Sequence, residues 1–131
     1  MLKIKREAYK QIISSARKKL PNEACGYLVG KNGTITHCFP MKNKDASPEH
    51  YSFDPGEQFE ILRKTRDLGL EIIANYHSHP QTPSRPSEED IRLAYDPNIA
   101  YGIVSLASGD EHFNLFRIKE NKVYPEGYYI I

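Results

Sequence analysis

The chain has 131 residues, 39% of them hydrophobic, enough for one domain of ordinary size whose core needs neither disulfides nor a structural metal. Its 18 basic and 17 acidic residues leave a formal charge of +1, and the only basic-rich run is Lys3 to Arg6, which argues against a nucleic-acid footprint. The N-terminus lacks the apolar core of a signal peptide, and no segment approaches the roughly 18 apolar residues of a membrane span, so a cytoplasmic protein is expected.

In chain order, Tyr9, Ile12, Ile13, Ala16 and Leu20 recur at helical spacing from Glu7 to Leu20, with lysines and arginines opposite. This predicts an amphipathic helix that packs on the core and is ended by Pro21. Ala24 to Lys31 and Thr34 to Met41 then read as two arms of a hairpin turning at Asn32-Gly33, a pair suited to a type I′ turn. If Lys31 faces Thr34, Cys25 faces Pro40 and Cys38 faces Tyr27, so the two thiols are diagonal neighbours. Two cysteines do not make a secreted disulfide framework, and reduced, partly buried thiols are expected. Glu23 sits between the helix and the first arm, where a carboxylate projects into a cleft without breaking the ladder; by position alone it is a solvated helix-end residue.

Lys42 to His50 is polar and aperiodic, a loop, and Tyr51 to Asp54 a short extended segment. Asp54-Pro55 reads as N-cap and first residue of a second helix running through Phe59, Ile61, Leu62 and Leu68 and closed by Gly69. The apolar run Leu70 to Ala74 predicts a buried strand leading into Asn75-Tyr76-His77-Ser78-His79-Pro80. On a strand His77 and His79 share a face, so two imidazoles aim at one point. A catalytic zinc site takes three nitrogen or carboxylate ligands and leaves one position open, and Asp90 can supply the third.

Gln81 to Pro86 is a proline-stiffened loop, either a plain connector or a rim that keeps the open position in shape. Ser87-Glu88-Glu89-Asp90 is a helix start, with Ser87 as N-cap and an acidic residue three positions on. After a turn at Asp96-Pro97-Asn98, Ala100 to Leu106 is an apolar strand; Glu111 to Ile118 returns, and a last hairpin through Asn121 leads to the Tyr128 to Ile131 end. His37, His50 and His112 have no partners at ligand spacing and read as ordinary surface or packing histidines. No repeat or second domain is visible, and the element order describes an α/β or mixed α+β domain, a mixed sheet flanked by about three helices.

His77-x-His79, seven residues, Ser87, two residues, Asp90, together with the upstream Glu23-Ala24-Cys25-Gly26, resembles the JAMM/MPN-plus metallopeptidases of short prokaryotic type. Four elements match in order and spacing. The likeness runs from about Pro21 to Phe116 and includes Tyr51-x-x-Asp54-Pro55. It implies the MPN fold, a curved sheet packed with helices and a metal at its edge, with a cytidine-deaminase-like architecture and residues 1–131 as one metallopeptidase domain. It also implies zinc on His77, His79 and Asp90, with Glu23 as the general base that then acts as acid toward the leaving amine. Ser87 is the candidate donor to the oxyanion. The same ligands can also hold iron(II), and Cys25 remains a minor alternative ligand.

The implied reaction is hydrolysis of an amide or isopeptide bond at the C-terminus of a ubiquitin-like or sulfur-carrier protein ending in Gly-Gly. Such a tail could add as a strand to a groove at the sheet edge. A zinc hydrolase or deaminase acting on a small molecule, and a non-catalytic MPN scaffold, stand as alternatives. No nucleic-acid or membrane partner is expected, and the oligomeric state stays open.

Overall fold

The computed structural model describes all residues, Met1–Ile131. Its elements run β1 (Leu2–Ile4), α1 (Arg6–Lys18), β2 (Cys25–Lys31), β3 (Thr34–Met41), α2 (Pro55–Asp67), β4 (Glu71–His79), α3 (Glu88–Arg92), β5 (Ala100–Ser105), β6 (His112–Lys119), β7 (Lys122–Glu126) and β8 (Tyr128–Ile130). All the strands belong to one mixed eight-stranded sheet ordered β7-β6-β5-β4-β2-β3-β1-β8. β4 is interior, antiparallel to β2 on one side and parallel to β5 on the other.

The two long helices cover opposite faces, because strand side chains alternate. Ala8, Ile12 and Ala16 of α1 pack on Leu28, Cys38, Ala74, Tyr76, Val104 and Leu115, the main core. On the other face Tyr27, Val29 and Met41 form a smaller cluster with Phe53, Ile61 and Ile72. Asn75, His77 and His79 alternate with Ala74 and Tyr76, so they project on the α2 side.

α1 ends at Lys18, short of the expected Leu20, which is left 47% exposed and off the core. α2 starts at the expected cap: Asp54 accepts from the Glu57 N–H at 3.0 Å and Pro55 is its first residue. Its expected apolar positions Phe59, Leu62 and Leu68 are nevertheless exposed, and only Ile61 of that set packs inward. Leu2–Ile4 was not foreseen as a strand; it is short, with buried Leu2 and Ile4 flanking an exposed Lys3, and pairs in parallel with both β3 and β8.

The hairpin register departs from expectation by one residue. Lys31 does face Thr34, but a bulge between Val29 and Gly30 sets Cys25 opposite Met41 and Cys38 opposite Leu28. Gly30 makes the bulge possible, since a Cβ there would lie 1.8 Å from the Thr34 carbonyl oxygen. Both thiols are free and fully buried, and they lie on opposite faces of the hairpin, not diagonally beside each other. No helix is long and apolar enough to cross a membrane.

Candidate active site and metal centre

β4 continues past the apolar run through His77 and His79, whose backbones pair with Ile103 and Ser105 of β5. Both imidazoles are buried, with 2% and 5% exposure. Asp90 comes from the first turn of α3, brought back by a reciprocal capping box: Asp90 N–H donates to Ser87 Oγ at 3.0 Å and Ser87 N–H to Asp90 Oδ2 at 2.9 Å. The three ligand atoms form a nearly equilateral triangle. His77 Nε2 and His79 Nε2 are 3.1 Å apart, and Asp90 Oδ2 lies 3.2 Å from the first and 3.1 Å from the second.

This triangle fits a small cation. A tetrahedral ion held at zinc distances of about 2.0–2.1 Å spaces its ligand atoms about 3.3 Å apart. The protons agree. The Pro83 carbonyl takes a hydrogen bond from His79 Nδ1 at 2.9 Å, so the neutral ring keeps its Nε2 lone pair toward the triangle. His77 Nε2 has only the other two corners of the triangle as partners, and its Nδ1 is buried without one. His77, His79 and Asp90 are the group of ligand-type side chains that converge here, and Cys25, whose sulfur lies 3.7 Å from the Met41 carbonyl oxygen, is not among them.

Charge and burial pull the site's protons in different directions. Burial lowers the His77 pKa, outweighing Asp90; for His79 burial acts the same way, but hydrogen bonds to Asp90 and to Pro83 prevail and raise it. Burial also opposes the Asp90 carboxylate, yet the two histidines hold its pKa well below the usual range. Glu23, just before β2, is 5% exposed and its carboxyl makes no hydrogen bond. Burial raises its pKa to about 8 against the pull of His79, with Asp90 adding to the rise. A carboxyl with that proton affinity exchanges protons near neutral pH, and a bound cation would draw it back toward the carboxylate.

Ser87 is exposed; its oxygen accepts from Asp90 N–H, and its own hydrogen remains free to be donated. Several neighbours have roles that the sequence did not assign. Tyr51 stacks on His77 with ring centroids 4.6 Å apart. Ser78, between the histidines but on the opposite face, accepts from Ala24 N–H at 2.7 Å. Ser105 Oγ donates to Thr82 O at 2.6 Å and Ser84 Oγ to Ile103 O at 2.7 Å. These bonds pin the Gln81 to Pro86 loop, so it is a rim holding His79 and not a plain connector. His50, expected to be an ordinary surface histidine, pairs with Glu89 at 2.7 Å beside Asp90; His37 and His112 are exposed and remote from the ligands. Only Tyr51 carried a signal, in the Tyr51-x-x-Asp54-Pro55 pattern.

Both histidine ligands lie at the end of an interior strand, which corrects the expectation of a metal at the sheet edge. Since β4 is paired on both sides, a substrate tail cannot add to it as a further strand. A narrow cleft of about 30 Å³ beside His77 and Asp90 shares the walls Tyr51, Leu93 and Tyr101 with a wider groove of about 390 Å³. That groove is otherwise lined chiefly by Tyr27, Phe53, Asn75 and Tyr95.

This sheet, sandwiched by α1 and α2 with ligands at the end of β4, defines an MPN-type domain. It superposes on AF2198, a JAB1/MPN domain protein of Archaeoglobus fulgidus, with a TM-score of 0.69 at 20% identity, covering 99% of this chain and 97% of that one. It also matches DSY2949 from Desulfitobacterium hafniense, with a TM-score of 0.91 at 40% identity over 100% of this chain and 93% of the other. Residues 5–119 match the family of prokaryotic homologs of the JAB domain. Over 129 residues the chain is 33% identical to the CysO-cysteine peptidase of Mycobacterium tuberculosis, covering 96% of this chain and 88% of the relative. The chain belongs to the prokaryotic JAB-domain family, the short prokaryotic branch of the JAMM/MPN proteins.

Proposed function

We propose that residues 1–131 form a single JAMM-type zinc metallopeptidase domain that hydrolyses an amide or isopeptide bond at the C-terminus of a ubiquitin-like or sulfur-carrier protein. The observation that carries this is the triangle of His77, His79 and Asp90, with edges of 3.1 and 3.2 Å, beside the buried carboxyl of Glu23. The fold and the similarity to a peptidase named for CysO-cysteine support it.

His77 Nε2, His79 Nε2 and Asp90 Oδ2 are the atoms that would hold zinc. When bound, zinc supplies Lewis acidity, polarising a carbonyl and bringing the pKa of water down toward about 7. The chain's own groups handle the protons. Glu23 takes the proton of the attacking water on its carboxylate and returns it to the departing nitrogen, so one carboxyl serves as base and then acid. Ser87 donates its hydroxyl hydrogen to the oxygen that gains charge, while its lone pair keeps Asp90 in place. Tyr51 covers His77 and keeps water off that side of the ligand set.

The groove walled by Tyr27, Tyr51, Phe53 and Tyr95 is the path for an extended tail, and the cleft of about 30 Å³ beside His77 and Asp90 leaves room for nothing bulky at its end, which favours a tail that ends in glycines. The complete ligand set disfavours a non-catalytic scaffold. The test is cleavage of three substrates: a Gly-Gly-ended carrier bearing C-terminal cysteine, the same carrier linked to a lysine side chain, and a Gly-Gly peptide amide without the carrier. Cleavage of the carrier adducts, abolished by chelation and restored by zinc, supports the reading. Equal turnover of the small amide contradicts the requirement for a carrier.

A further inference from the structure

Asn43 lies in the polar loop between β3 and α2 that shows no periodicity, yet it is only 7% exposed. Its amide is saturated. Nδ2 donates to the carbonyl oxygens of His50 at 2.9 Å and Glu23 at 3.1 Å, and at a longer 3.4 Å to Ser47. Oδ1 accepts from the N–H groups of Asp45 at 3.0 Å and Ser52 at 3.4 Å. The partners fix which way the amide points, because three carbonyls can only accept and two backbone amides can only donate.

Glu23 depends on this hub. It precedes β2 and has no ladder partner of its own; its carbonyl is held by Asn43 Nδ2, and its N–H donates at 2.9 Å to the Ser47 carbonyl, which Asn43 also contacts. No hydrogen bond holds its carboxyl, so the position of its main chain, with the packing around the buried side chain, decides where that group stands. Ser78 secures the next residue, Ala24, to β4, but both polar main-chain groups of Glu23 are secured from the loop.

We propose that Asn43 is a positioning residue for the Glu23 carboxyl, acting through the backbone of loop 43–52 without touching substrate or metal. This rests on reading Glu23 as the general base. None of the hydrogen bonds of Asn43 reaches the ligands on β4 and α3, but those to His50 and Ser52 flank Tyr51, which stacks on His77, so zinc affinity has to be read beside kcat.

Asn43→Asp is the isosteric test, since it keeps the acceptor for Asp45 and Ser52 and removes both donors. With the fold retained by thermal melting, kcat should fall about 30- to 100-fold, the cost of a misplacement near 1 Å, with KM and zinc affinity within about threefold. Because the loss passes through Glu23, Asn43→Asp should add nothing to the residual rate of Glu23→Gln. The Glu23 amide in the metal-free protein should exchange with deuterium about tenfold faster or more. Should Asn43→Asp unfold, Asn43→Gln, which places the same donors on a longer arm, gives the same kcat against KM reading.

Unchanged kcat in a folded variant overturns the proposal, as does a loss that multiplies with that of Glu23→Gln or a parallel loss of zinc affinity. If the wild-type protein cleaves no carrier adduct, the functional reading fails, and the exchange rate at Glu23 alone decides whether Asn43 anchors it: faster exchange supports that, and unchanged exchange overturns it.

Discussion

Tyr51 lies nearly parallel to His77, ring planes 22° apart and centroids separated by 4.6 Å, so a loop residue forms the lid over one ligand of the metal triangle. The contact is one of area and exclusion of water, and a phenyl ring would preserve it. Tyr51→Phe should therefore keep zinc affinity and turnover within about threefold. Tyr51→Ala should lower zinc affinity about tenfold and stability by about 2 kcal/mol, read by chelator competition and denaturant unfolding.

Ser78 offers a second test from the other face of the strand. Its Oγ is the partner of the buried Ala24 N–H, 2.7 Å away, and Ser78→Ala leaves that donor unpaired. The expected cost is about 1–3 kcal/mol of stability, with a drop in kcat larger than any change in zinc affinity. A variant as stable as the wild type would show that this bond does not tie Glu23's neighbour to β4.

The pH dependence of the metal-free protein follows from Glu23, whose pKa rises from 4.5 to about 8 on burial. A raised folded-state pKa means the native chain binds the proton more tightly than the unfolded one. Its contribution is thus fully present below about pH 4.5 and is lost as pH rises through about 8. Glu23→Gln removes this slope, so the apo mutant should gain on the apo wild type across that window, by an amount on the order of a few kcal/mol at the alkaline end. The depressed Asp90 pKa acts oppositely and in a separate range, with stability lost as pH falls into the strongly acid region. Unfolding curves of both apo proteins from pH 4 to 9 provide the check; parallel stability profiles would contradict a buried, proton-holding Glu23.

Metal should stabilise the fold measurably. At a free zinc concentration about 100 times Kd, linkage contributes about 2.7 kcal/mol, a rise in Tm of about 10 °C for a chain of this size. His77→Ala should abolish both the rise and the activity. An equal rise in His77→Ala would move the metal elsewhere.

How much of this was legible before folding depended on the range of the forces involved. The caps at Asp54 and Ser87 were readable because each bonds within three residues, and the shared face of His77 and His79 follows from the two-residue strand period. The bulge at Gly30 was not readable, since it depends on how closely the β3 backbone approaches, and it shifted the pairing of both cysteines. β1 escaped notice because three residues carry too little pattern, and its pairing with β8 joins the two ends of the chain. Ser78 and Asn43 were invisible for another reason. Their partners are backbone atoms 54 and 20 residues away, and a main-chain carbonyl or N–H leaves no mark on sequence identity. The sheet order, set by nonlocal pairing, put both histidine ligands on an interior strand, so a tail cannot add to β4 itself.

In the proposed reaction Glu23 transfers protons beside a metal that it does not bind. This is tested most directly by zinc content and carrier-adduct cleavage measured together on wild type and Glu23→Gln. Both proteins should hold about one zinc per chain, with cleavage reduced by about 10²–10⁴-fold in the mutant. Loss of zinc from Glu23→Gln would make Glu23 a ligand, and undiminished cleavage would remove it from the reaction; either result contradicts its role as a base that does not bind the metal.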